Sequence, residues 1–283
     1  MSARFGPAGN AADFPYKSSV KAPQWLRELG LDCYEYQCGK GVNVGEATAR
    51  QIGQAAAEES IALSLHAPYF INLANPDPES LQKTIRYITS ACLAASWMEA
   101  ERVVVHSGAL MGRTRREAMD IALPSIKAVL AACDDAGFGH ITLCPETMGK
   151  INQLGDLDEV LELCGADERL IPCVDFGHLY ARSLGADDGA EAMERMLDRM
   201  EAALGQERAS RFHSHFSHIE FTPKGGEKCH RTFEDDGGYG PDWTPLARQV
   251  AARGWSPTFI CESAGTQARD AAEMKRIYQG LLP

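Results

Sequence analysis

The chain has no apolar run approaching ~18 residues, so no membrane span is expected. Met1 to Phe14 lacks a basic segment followed by an apolar one, so no secretory leader is expected either. No Cys-x-x-Cys pair occurs, which removes a zinc ribbon and a thioredoxin-type redox site. The nine cysteines are an odd number, and Cys92, Cys133, Cys144, Cys173 and Cys261 sit inside apolar patterns. They read as reduced core thiols, which points to a cytoplasmic protein. Basic residues are in deficit: 28 Lys plus Arg against 39 Asp plus Glu give a formal net charge of −11. That excludes a protein gripping nucleic acid by bulk charge alone, but not one with a local groove whose positive charge comes from metal ions. No Gly/Ser/Pro-rich linker and no low-complexity segment divides the 283 residues, so residues 1–283 read as a single domain. At 45% hydrophobic residues, a full core is available and wholesale disorder is excluded.

Short apolar runs alternate with helical patterns throughout. The strand candidates are Ala3–Pro7, Cys33–Gln37, Leu63–Pro68, Arg102–Ser107, His140–Glu146, Leu170–Phe176, Phe212–Phe221 and Pro257–Ser263. The helix candidates are Gln24–Glu28, Ala47–Glu59, Ser80–Met98, Arg116–Ala136, Asp158–Cys164, Ala190–Leu204, Pro245–Ala252 and Ala268–Leu282. In Ser80–Met98, Leu81, Ile85, Ile88, Cys92 and Ala95 recur at three- and four-residue steps, an amphipathic helix period. Val103-Val104-Val105 and Thr258-Phe259-Ile260 are apolar on both faces, as in a parallel sheet covered on each side. Eight strands alternating with helices predict parallel βα units, and the length suits an α/β fold of the (β/α)8 TIM-barrel type. Thr222–Pro241 departs from the pattern, being polar, containing five glycines and too long for an ordinary connection.

The apolar strands end in metal-binding residue types. Leu63-Ser64-Leu65 runs into His66, Val103-Val104-Val105 into His106, and Cys144-Pro145 into Glu146. Cys173-Val174 runs into Asp175 with His178 three residues on, Phe212 to Ser217 into His218, and Ile260-Cys261 into Glu262. In a TIM barrel these ends share one mouth. Taken singly, each has an ordinary reading: a satisfied histidine, or a carboxylate capping the following helix. Taken together, buried carboxylates would repel one another unless cations joined them, and imidazole with carboxylate suits zinc, manganese or iron. His213 and His215 share one strand face by alternation and His218 takes the other. Since His218 ends the apolar run, it is the expected ligand, with His215 the fallback.

These residues carry a resemblance to a known family. His66-Ala67-Pro68-Tyr69-Phe70-Ile71-Asn72-Leu73-Ala74-Asn75-Pro76 resembles the block of endonuclease IV in which a ligand His precedes Tyr and Ile-Asn-Leu. Val105-His106-Ser107-Gly108, Pro145-Glu146-Thr147, Val174-Asp175-Phe176-Gly177-His178 and Ile260-Cys261-Glu262-Ser263 are similar to that family's later blocks, in order. The resemblance implies a zinc-dependent barrel incising DNA on the 5′ side of abasic sites by metal-activated hydroxide, with two or three Zn2+ per chain and Mn2+ an alternative. Under it, His66 and His106 hold the first metal and Glu146 bridges as the catalytic centre. Asp175, His218 and Glu262 complete the second, His178 and His230 hold the third, and Tyr69 lies against the substrate. Abasic DNA is the implied partner; no protein partner is inferred.

The sequence departs from the family in three places. Lys228-Cys229-His230 has lysine where the family has an Asp ligand, leaving the third site empty, weak, or completed by Cys229, Glu227 or the substrate phosphate. Ile219-Glu220-Phe221-Thr222 follows His218 in place of Asn-Asp-Ser-Lys, and Gly6-Pro7-Ala8-Gly9-Asn10 lacks the usual first-strand His-Val-Ser. Two basic clusters, Arg113/Arg115/Arg116 and Lys224/Lys228/Arg231, are candidate phosphate contacts, opposed by the acids Glu234, Asp235 and Asp236. The competing reading is a sugar isomerase or epimerase of the xylose-isomerase-like superfamily. There Glu146, Asp175, His218 and Glu262 would hold one Mn2+ or Mg2+, and His66 and His106 would bind substrate. A non-enzymatic, metal-bound module is the third reading.

Overall fold

The computed structural model describes residues 2–282. Eight parallel strands form the central sheet: β1 (Arg4–Pro7), β2 (Cys33–Gln37), β3 (Ala62–His66), β4 (Arg102–His106), β5 (Thr142–Glu146), β6 (Cys173–Asp175), β7 (His213–Phe216) and β10 (Thr258–Cys261). Their spatial order is β1-β10-β7-β6-β5-β4-β3-β2, and a parallel bridge between Ala8 and Glu35 closes the ring. This is the expected TIM barrel. The seventh sequence-predicted strand is split differently. The expected Phe212–Phe221 run breaks at Ser217, and β8 (His218–Thr222) leaves the barrel to pair antiparallel with β9 (Gly226–Arg231). The polar stretch after Thr222 therefore begins as a hairpin over the mouth.

The main helices are α1 (Ala22–Glu28), α2 (Glu46–Glu59), α3 (Pro78–Met98), α4 (Arg115–Asp135), α5 (Leu157–Cys164), α6 (Phe176–Arg182), α7 (Gly189–Leu204), α8 (Gln206–Ala209), α9 (Trp243–Arg253) and α10 (Gln267–Gln279). Their starts follow from local chemistry. Asp77 accepts from Ser80 N ahead of Pro78, and Thr114/Glu117 and Asp156/Glu159 form reciprocal capping boxes. Each such cap satisfies backbone donors that have no partner within the helix.

Packing follows strand alternation. On β7, His213 and His215 point into the barrel, whereas the neighbouring Phe212 and Phe216 pack outward. Phe216 lies edge-on to Trp243 of α9 at 5.1 Å, and Phe212 meets Phe259 and Trp255. Phe5, Phe212, Phe216 and Phe259 are all fully buried, each worth ~1.5–3 kcal/mol of transfer free energy. Gly6 is obligatory here, since a Cβ would lie 1.8 Å from the Cys33 carbonyl oxygen across the β1–β2 seam. No disulfide forms among the described residues, and eight of the nine cysteines are buried. No described helix is long and apolar enough to cross a membrane.

Candidate metal centre at the barrel mouth

Glu146 ends β5 at the centre of the mouth and is 1% exposed. One carboxylate oxygen faces His66 Nε2 at 3.2 Å and His106 Nε2 at 3.3 Å. The other faces His215 Nδ1 at 3.1 Å and His178 Nδ1 at 3.6 Å. Burial pushes this carboxyl up, but the His215 charge and hydrogen bonds from His106, His215 and His66 hold it well below the usual carboxylate range. His66 is oriented from behind: its Nδ1 donates to the Ala67 carbonyl at 2.7 Å, leaving Nε2 toward Glu146.

Asp175 ends β6, and one of its oxygens accepts from His178 N at 2.8 Å, capping α6. Its other oxygen is buried without any hydrogen-bond partner. Burial, reinforced by the Glu262 charge, raises its pKa. This oxygen lies 3.3 Å from His178 Nδ1 without a hydrogen bond, since that nitrogen is bonded to the Thr147 carbonyl, and a buried carboxylate oxygen so placed among carboxylates and imidazoles is a donor that a divalent cation would use. Atoms of Glu146, Asp175, His215 and Glu262 lie within 4.8 Å of one another, as do those of His66, Glu146 and His215. A third group, His178, Glu227 and His230, meets the same limit. The donor sets suit divalent zinc or manganese.

One sequence expectation is corrected, and one of the alternatives left open for the third site is favoured by the geometry. His218 is not part of this constellation. Its strand has left the barrel, its ring stacks on Phe233 at 4.7 Å, and its buried Nδ1 has no partner. His215 takes its place, because it is the last inward-facing residue before the chain breaks at Ser217. Lys228 does not stand where a third-site carboxylate would. In the hairpin Glu220 pairs with Cys229 and Phe221 with Glu227, so Lys228 is an extra, bulged residue. The bulge reverses the alternation and turns Glu227 to the same side as His230. Glu227 Oε2 lies 3.6 Å from His178 Nε2, while Lys228 Nζ turns away to Glu220 at 2.5 Å. Burial would lower the His178 pKa, but Asp175, Glu227, Glu146 and Glu262 outweigh it and push it up to about 9.

The centre lines a cavity of about 430 Å³ that also takes in Tyr69 and Lys150. Tyr69 is 52% exposed, stacks on His106 at 5.3 Å and abuts His66. Burial and the Glu262 and Glu146 charges push its phenol up to about 12, so it stays a neutral hydroxyl at the rim. The candidate phosphate contacts are largely spoken for. Arg115 pairs with Glu159 and Asp156, Arg116 with Asp120 and Glu162, and Lys228 and Arg231 both with Glu220.

Sequence reasoning missed Glu35. It is fully buried inside the barrel, bonded to His213 Nε2 and His215 Nε2 at 2.9 Å each. The signal available was a lone carboxylate within the otherwise aromatic Tyr34-Glu35-Tyr36 strand.

Residues 23–278 match the family model described as xylose isomerase-like TIM barrel. An uncharacterized protein of Methanocaldococcus jannaschii is 31% identical over 277 residues, 98% of this chain and 97% of that one. The probable endonuclease 4 of Acholeplasma laidlawii is 30% identical over 121 residues, 41% of this chain but only 40% of that relative's length. Among solved structures, endonuclease IV from Thermus thermophilus aligns with a TM-score of 0.71 at 20% identity, covering 98% of each chain. A D-tagatose 3-epimerase-like protein aligns with a TM-score of 0.70 at 19% identity, covering 94% of this chain and 93% of that one. At these identities the structural likenesses speak for the fold, and they are equally good for both chemistries.

Proposed function

The chain belongs to the xylose isomerase-like TIM-barrel family, and from that premise we propose that it is a metal-dependent phosphodiester hydrolase of the endonuclease IV type, with abasic DNA as the substrate to test. The observation that carries this reading is the number of candidate ligand groups. Proton transfer beside a sugar carbonyl can be served by a single cation, and Glu146, Asp175, His215 and Glu262 would suffice to hold it. This mouth adds His66 with His106 on one flank and His178, Glu227 and His230 on the other, the two flanks joined through contacts of His66, His106 and His178 with Glu146. Clusters of several cations suit in-line displacement at phosphorus, where attacking and leaving oxygens both need charge stabilisation.

In this proposal His66, His106 and Glu146 hold the first ion, Glu146, Asp175, His215 and Glu262 the second, and His178, Glu227 and His230 the third. When bound, divalent ions supply Lewis acidity toward a phosphate oxygen and acidify a water molecule. Glu146 spans two groups with its two oxygens and keeps them at fixed separation. Asp175 does double duty, capping α6 with one oxygen and facing the mouth with the other. Tyr69, neutral and half exposed, offers a flat face at the rim for a sugar or base. Lys150 adds a positive charge to the cavity wall, and the remaining rim arginines are held by acids, so phosphate affinity rests mainly on the ions.

The second reading, a sugar epimerase, is favoured by the self-contained Glu146–Asp175–His215–Glu262 quartet. Elemental analysis of the purified protein, paired with incision of an abasic duplex and epimerisation of ketohexoses, separates the two. Two or three zinc with incision supports the hydrolase; one manganese with epimerisation replaces it.

A further inference from the structure

Below the mouth, the barrel interior holds a second polar layer that the proposed chemistry does not use. Glu35 of β2 is its centre, fully buried. Its Oε1 accepts from His215 Nε2 at 2.9 Å and Gln37 Nε2 at 3.0 Å. Its Oε2 accepts from His213 Nε2 at 2.9 Å and Ser64 Oγ at 2.9 Å. All four acceptor positions of the carboxylate are thus filled, by donors from β2, β3 and β7.

This arrangement dictates proton positions. An ionised carboxylate only accepts, so both imidazoles must present Nε2–H to it. A cation displacing the Nδ1 proton would leave Nε2–H in place and take the lone pair on Nδ1, the atom 3.1 Å from Glu146 and 3.6 Å from Glu262. We propose that Glu35 is a positioning residue that, braced by His213 and Ser64, locks His215 in the Nε2–H form and turns Nδ1 to the mouth as the coordinating atom. The inference rests on the metal reading above and adds to it the atom through which His215 binds and the reason for it. A carboxylate behind a ligating imidazole fixes its tautomer and ring orientation and raises its basicity. His213 serves in this layer as the brace: its Nε2 is committed to Glu35, and it lies beside Cys173 and His215 within the barrel.

The test uses the full-length protein, freed of metal and reloaded with zinc. Long-range 15N–1H correlation, with the His215 signals assigned by comparison with His215→Asn, reads the tautomer in the wild type directly. The expected result is a protonated Nε2 and a metal-bound Nδ1; zinc on Nε2 overturns the proposal. Competition with a chromophoric chelator then compares wild type and Glu35→Gln, which keeps size and removes the charge. Zinc binding is expected to weaken by ~10- to 100-fold for the site that includes His215. Unchanged affinity together with an unchanged His215 tautomer overturns the positioning role alone. A wild type that takes up no zinc overturns both this role and the metal reading beneath it. Should Glu35→Gln fail to fold, the wild-type tautomer still decides.

Discussion

Exchanging Glu227 for Gln and Lys228 for Asp sets two neighbouring residues against each other. If the bulge in β9 governs the third ligand group, Glu227→Gln removes a ligand and Lys228→Asp does not create one. The magnitude follows from His178. Its pKa stands at about 9 against an ordinary 6.5, held up by Asp175, Glu227, Glu146 and Glu262 despite burial. The raised value means that the metal-free fold gains stability from the protonated ring below pH 6.5 and loses it as pH rises through 9. At ~1.4 kcal/mol per pH unit this amounts to about 3 kcal/mol over the window. A cation must displace that proton, so over the same window third-site affinity should rise by ~10-fold per pH unit, up to about 300-fold in all. Zinc titration calorimetry at pH 6.5 and 9, with elemental counts after dialysis, measures both effects. Glu227→Gln is expected to lose one zinc per chain and to shrink the window, since one of the charges supporting His178 is gone. Lys228→Asp is expected to keep the wild-type count, because its side chain faces Glu220 on the far side of the hairpin. A Glu227→Gln protein with unchanged zinc and pH slope, or a Lys228→Asp protein that gains or loses zinc, refutes the reasoning.

Glu146→Gln should abolish metal-dependent incision of an abasic duplex while circular dichroism stays native; a full-rate variant removes Glu146 from the bridging role. Gly149→Ala places a methyl 2.6 Å from Glu227 Cβ and 2.9 Å from His178 Cδ2, so it should lower zinc occupancy by one ion and cost about 1–3 kcal/mol in urea unfolding. Wild-type occupancy in that variant would mean that the hairpin does not depend on the close approach at Gly149. Gly39→Ala drives a Cβ to 2.2 Å from the Tyr69 ring and should raise KM for an abasic substrate more than it lowers kcat. Unchanged KM would detach Tyr69 from substrate binding.

Periodicity made much of the protein legible. Apolar runs with both faces buried announce parallel strands, and the residue closing each run lands at the barrel mouth whatever its distance along the chain. That logic located His66, His106, Glu146, Asp175 and Glu262 at one place, because each ends or directly follows a strand of the closed sheet. Local pattern failed where the chain departs from regularity. The end of the apolar run favoured His218 over His215, but the chain leaves the barrel at Ser217, and that exit depends on the pairing of β8 with β9. Counting back two residues from His230 reached Lys228 and left Glu227 as one alternative among several; the bulge that turns Glu227 to the side of His230 appears only in the folded hairpin. Glu35 was invisible for a further reason: its partners His213 and His215 lie 178 and 180 residues away along the chain and reach it only across the closed barrel. A sequence carries the period of its own strands, but which residue survives a bulge, or meets a side chain from the far wall, is fixed only when non-local backbone pairing closes the structure.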